Sequence, residues 1–203
     1  MFTNWVSLIF LFIVRAQTST EHGVCSEELL ELEKCTTHHK AYIDSIRNTT
    51  EAFNFSFING FIKFTRTVSQ CIRQNVTCDK SRHYRFFLDA LTFVGDILIE
   101  EQYFNCSLEL YPLIAECYNQ LTDRLRKLLL SPWSPKTQSD FLLCIRIKIR
   151  SATECSDDPS MKNTILKVVR VILLIAQQYH IWKTGSMTPI VFDQKMLELD
   201  NYQ

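Results

Sequence analysis

Eight cysteines carry the most regularly spaced chemistry in this sequence: Cys25, Cys35, Cys71, Cys78, Cys106, Cys117, Cys144 and Cys155. An even number in a chain with an export signal reads as a framework of four disulfide bridges. None of them forms the Cys-x-x-Cys pair of redox-active dithiols or zinc ribbons. Nine residues separate Cys25 from Cys35, and ten separate Cys106 from Cys117 and Cys144 from Cys155. On a straight helix such partners stand about 15 Å apart, whereas a bridge needs Cα atoms within about 7 Å. Two cysteines so spaced on one helix cannot join each other and must reach to other helices. The pairing itself stays open at this point.

The remaining candidates for chemistry are sparse. No GxSxG, HExxH, GxGxxG, phosphate-cradling loop or EF-hand occurs. His38 and His39 are adjacent, so on a helix their rings point about 100° apart and cannot share a metal as i, i+4 histidines do. Asp157 and Asp158 precede Pro159, where acids suit the first turn of a helix. No nucleophile and base can be paired from these residues, so the chain is expected to be no enzyme and to take no cofactor. Arg124, Arg126 and Lys127, with Arg146, Lys148 and Arg150, would bind an anionic glycan or lipid if they met on one surface. Phe53, Phe55, Phe57, Phe61 and Phe64, with Phe86, Phe87 and Phe93, suit core packing first and an apolar ligand cavity second.

Helices must position these residues. Only 4 glycines and 5 prolines punctuate 203 residues, and the apolar residues recur at three- and four-residue spacing. The spacing predicts a helix capped by Ser26 and running to about Arg47, a second from Phe57 to Cys71, and a third from Ser81 through Leu98. A fourth carries Pro112 in its first turn, and Ser131–Pro135 is a loop. The alternation of Ile145–Arg150 suits a strand, but a strand without partners is marginal, so a helix is expected there. Ser160 caps a last helix ending near Lys183. The fold class is all-α: a single-domain, disulfide-stapled bundle of about five to six helices.

Composition places this bundle. Lys and Arg number 22 and Asp and Glu 22, so the chain lacks the basic excess that a nucleic-acid partner requires. Trp5–Val14 is an uncharged apolar run of ten, too short to cross a bilayer and of the length of a signal-peptide core. Val14-Arg15-Ala16 suits cleavage after Ala16. The expected organisation is a signal peptide at 1–16, a lead at 17–24, the cysteine-rich helical domain at 25–183 and a loose tail at 184–203. No membrane span is expected, because Arg170 and His180 interrupt the best apolar stretch. Asn48, Asn54, Asn75 and Asn105 begin acceptor sequons, which agree with export.

The Cys-x9-Cys near the mature start (Cys25 to Cys35), the Phe-rich helix ending in Cys71, nearby Cys78 and three further cysteine-bearing helices resemble a nematode-specific secreted family. That family is catalogued as domain of unknown function 19. The resemblance covers roughly Cys25 to Trp182 and implies secretion, helices and bridges, with no catalytic residues to carry over. The expected function is an extracellular protein-interaction module. The alternative is an extracellular carrier of a small apolar ligand such as a lipid.

Overall fold

A computed structural model describes residues 24–37, 39, 55–128, 134–153, 155 and 159–184. Among them it is all-helical and contains no strand. The helices are α1 (Val24–Thr37), α2 (Phe55–Cys71), α3 (Asp79–Leu98), α4 (Glu101–Leu128), α5 (Pro135–Lys148) and α6 (Pro159–Thr184). A 3-10 turn, Ile149–Ser151, continues α5. Within the span expected as one domain, the described residues fall into two compact units: 24–95 with 181–184, and 96–180.

Local sequence explains most of the boundaries. Ser134 accepts a hydrogen bond from the Thr137 N–H at 3.2 Å and Pro135 takes the first helical position, so α5 starts where the loop was expected to end. The alternating Ile145–Arg150 stretch is helical, as its Ile145 and Ile149, 0% and 1% exposed, require for a shared buried face. Pro112 is a correction. It lies inside α4 and not in its first turn. Proline removes one N–H and presses on the carbonyl four residues earlier, but Leu108 and Pro112 are both exposed, so water can take that carbonyl. α2 begins at Phe55, two residues before the Phe57 start that the spacing predicts. α3 begins two residues before Ser81 and α6 one before Ser160. The expected helix beyond Thr37, Asn48, Asn54, Asp157, Asp158, the signal segment and the tail from 185 lie outside the described residues.

The first unit packs Leu32, Cys35, Phe64, Val68, Ile72, Tyr84 and Leu88 into one cluster from α1, α2, α3 and the chain just after α2. Phe86 and Phe87 are likewise buried and meet edge to face at 5.8 Å, so the phenylalanines described serve packing. Polar contacts join α2 to α3: Arg85 donates to the Ser69 carbonyl at 2.8 Å, and the Ser69 hydroxyl donates to Asp89 at 3.2 Å. The two helices also approach closely at Gly95, where an added Cβ would overlap the Ile62 side chain. In the second unit, Cys106, Leu110, Ile149, Cys155, Met161 and Ile165 form one cluster. Cys117, Phe141, Leu142, Ile145, Leu166 and Val169 form another. Full burial of such side chains contributes roughly 1.5–3 kcal/mol each.

α6 supplies Met161 and Ile165 to one cluster and Leu166 and Val169 to the other. By length and composition alone, its residues Pro159–Trp182 could cross a membrane, which the sequence reading denied. Arg170 and His180 do not bring the helix below that threshold. Its most apolar window is 56% buried within the protein, as a core helix would be.

Candidate functional site

All eight cysteines are bridged: Cys25–Cys78, Cys35–Cys71, Cys106–Cys155 and Cys117–Cys144. No bridge closes within a single helix. In each unit the pairs are nested, the first half-cystine with the last and the second with the third. Each unit therefore holds a helix, α1 or α4, with a later stretch of chain running along it in the opposite direction and pinned at both ends.

In the first unit, Cys25, Glu28, Leu32 and Cys35 recur every three or four residues and share one face of α1. The chain from Cys71 to Cys78 lies along that face. Near one bridge, the Arg73 backbone N–H donates to Glu31 at 2.8 Å and its guanidinium pairs with the same carboxylate. Near the other, Glu28 Oε1 accepts from the Thr77 N–H and the Thr77 hydroxyl at 2.8 Å each, while Oε2 accepts from the Cys78 N–H at 3.0 Å. Glu28 is 3% exposed. Burial by itself would raise its pKa, but the bonds from Thr77 and Cys78 outweigh that and hold the carboxyl below its ordinary value. Glu31 is held low by its bonds to Arg73. Nearby in α3, burial lowers the pKa of His83 to about 4, against the opposing pull of Asp79.

The second unit repeats the device with other residues. Glu109 stands three positions after Cys106, as Glu28 stands three after Cys25. Its Oε1 accepts from the Thr153 N–H at 2.8 Å and the Thr153 hydroxyl at 3.1 Å, beside the Cys106–Cys155 bridge. Lys148 Nζ pairs with Glu116 at 2.8 Å, beside the Cys117–Cys144 bridge. Here the contacts are solvent-exposed. Sequence reasoning missed both glutamates, although the signal was present: Cys-x-x-Glu occurs at both first half-cystines, and a threonine precedes both last ones by one or two positions.

An open groove of about 470 Å³ lies beside the Cys117–Cys144 bridge. Leu121, Phe141, Leu143 and Ile147 give it apolar walls, and Asp140 and Lys148 supply charge. Leu143 and Ile147, 55% and 59% exposed, stand one turn apart on α5. Of the two basic groups weighed in the sequence, Arg146 and Arg150 are exposed and Lys148 is half-buried, while the side chains of Arg124, Arg126 and Lys127 lie outside the described residues.

Of the sequons, Asn75 is exposed in the loop between α2 and α3. Asn105 is half-buried within α4, next to the fully buried Cys106, and the Ser107 hydroxyl is buried without a hydrogen-bond partner. His39 meets the Phe64 ring edge-on at 5.3 Å. Among the described residues, no three His, Cys, Asp or Glu side chains gather as a metal site. No family model matches this chain, and neither a curated protein nor a solved structure matches it.

Proposed function

We propose that the chain is a secreted, glycosylated module that binds another protein outside the cell. Two nested bridge pairs favour an oxidising compartment, where disulfides persist. The signal-like Trp5–Val14 run and the exposed Asn75 sequon point the same way. The observation that carries the binding role is the α5 ridge: Leu143 and Ile147 are exposed apolar side chains on a helix that a bridge holds rigid. A rigid surface loses little entropy on association, and exposed apolar side chains grouped together favour contact with another protein. The proposed partner is a protein presenting an apolar face. We assign no catalysis, no cofactor and no nucleic-acid partner, and we keep membership of the nematode secreted family as part of the proposal.

The test is photo-crosslinking in extracellular fluid from a probe at Ile147, with a second probe at the exposed Leu30 as control. One partner captured at Ile147 and lost on Leu143→Glu supports the reading; equal capture at both probes counts against it. N-terminal sequencing of exported protein that begins at Met1 would remove the signal peptide from the proposal. The groove also favours a second reading, since about 470 Å³ lies within the range of small-ligand sites. A stoichiometric lipid in an organic extract of the purified protein would select the carrier.

A further inference from the structure

The acceptor motif Asn-x-Thr needs its third-position hydroxyl for glycan transfer. At Asn75-Val76-Thr77 that hydroxyl is donated at 2.8 Å to Glu28, whose carboxylate also holds the Thr77 and Cys78 backbone N–H groups. The rest of the loop is pinned as well. Glu31 holds Arg73, the Arg85 guanidinium reaches the Ile72 carbonyl at 3.4 Å, and Arg82 reaches the Val76 carbonyl at 3.4 Å. Bridges at Cys71 and Cys78 close both ends. The Asn75 side chain is exposed while the hydroxyl its modification requires is held by the protein itself.

We propose that Glu28 gates the glycosylation of Asn75: the open chain accepts the glycan, and closure of α1 on the Cys71–Cys78 loop ends acceptance by holding the Thr77 hydroxyl in a hydrogen bond, although Thr77 itself stays exposed. In the transfer, the Asn75 side-chain nitrogen bonds to the anomeric carbon of a lipid-diphosphate-linked oligosaccharide. The carbon–oxygen bond to the diphosphate breaks, the lipid diphosphate leaves, and the nitrogen gives up one proton. Glu28 takes no part in that step; it competes with the transferase for the hydroxyl. A glycan added first projects from an exposed position and leaves the lock free to form afterwards. The matching lock in the second unit carries no such conflict, because position 151, two before Thr153, is serine.

The inference builds on the proposed export, but its test needs only purified components, so failure of export and failure of the gate are separable. The non-glycosylated full chain, oxidised or reduced, is incubated with a purified oligosaccharyltransferase and its lipid-linked oligosaccharide, and Asn75 occupancy is read by mass spectrometry. The reduced chain should be modified, and the oxidised chain at least about tenfold more slowly, since only a locally opened form reacts. Oxidised Glu28→Ala, its four bridges verified by peptide mapping, should regain acceptance at Asn75. Glu31→Ala, which frees Arg73 but not Thr77, should stay slow. If Glu28→Ala fails to form the native bridges, Glu28→Asp withdraws the carboxylate by one methylene and replaces it. Equal rates for oxidised and reduced wild type would overturn the proposal, as would a natively bridged Glu28 variant as slow as wild type.

Discussion

The two units close the same kind of zipper with different lengths of chain. In the first, Cys25 and Cys35 stand about 15 Å apart along α1, and only six residues separate Cys71 from Cys78. A helix of that length would cover about 10 Å and fall short. The chain therefore runs non-helical from Arg73 to Thr77, and its backbone N–H groups have no helical acceptors. Glu31 accepts from the Arg73 N–H and Glu28 from those of Thr77 and Cys78. In the second unit, ten residues separate Cys144 from Cys155, matching the ten between Cys106 and Cys117. The facing chain can stay helical through Lys148 and turn in 3-10 fashion to Ser151, satisfying its own amides. Among the described residues there, the Thr153 N–H turns to a carboxylate, at the surface. Half-cystine spacing thus decides how much backbone must be satisfied by side chains, and the buried carboxylate of Glu28 stands where the spacing is short.

The largest effect should come from the most buried bridge. Both Cys106 and Cys155 are 0% exposed, and their separation of 49 residues corresponds to about 4 kcal/mol in the chain-entropy model. Removing both by C106A/C155A should lower the urea midpoint more than removing Cys35 and Cys71. The chain-entropy contribution is similar for that pair, at a separation of 36, but Cys71 is exposed. Graded reduction followed by alkylation and mapping should open Cys35–Cys71 before Cys106–Cys155. The reverse order would mean that burial does not control access to these bridges.

Glu28→Ala should cost about 2–4 kcal/mol, since it strips a buried carboxylate from three donors, whereas Glu109→Ala, which removes solvent-exposed bonds to Thr153, should cost under about 1 kcal/mol. Equal urea-denaturation losses would break the contrast between buried and exposed locks. The same contrast has a pH arm. Glu28 has a folded pKa below its ordinary 4.5, so its contribution is present above that value and is lost as pH falls through the folded value. His83 is depressed from 6.5 to about 4, so the unfolded chain takes up a proton first and stability falls between those two pH values. Acidification should therefore weaken the first unit. The His83→Gln variant should flatten the part of the stability profile between pH 6.5 and 4.

Gly95→Ala should cost about 1–3 kcal/mol by thrusting a methyl into the buried Ile62. Adding Ile62→Val should recover part of that loss in a double-mutant cycle, and no recovery would mean that the two positions are not coupled. The smallest effect is expected at the exposed Glu116–Lys148 pair, where Lys148→Met should change stability by about 0–1 kcal/mol.

Local sequence made much of this legible. Apolar spacing marked the helices, and the scarcity of glycine argued against sheets. Ser134-Pro135 marked the start of α5 through the cap itself. Pro112 misled because a proline rule read along the chain cannot see that Leu108 and Pro112 stand on an exposed face of α4. The apolar groove was not legible for the same reason. Leu143 and Ile147 have the spacing of core residues, and only their exposed position in the fold distinguishes them from Ile145.

Spacing also required that the cysteines pair across helices, since ten residues of helix hold two sulfurs too far apart to join. Which sulfur meets which was decided by tertiary structure alone, because pairing depends on distances in space that many arrangements of the same helices would satisfy differently. The roles of Glu28 and Glu109 were settled there too. A carboxylate becomes a lock only when a distant stretch of chain, 49 residues on for Thr77 and 44 for Thr153, arrives with unsatisfied donors.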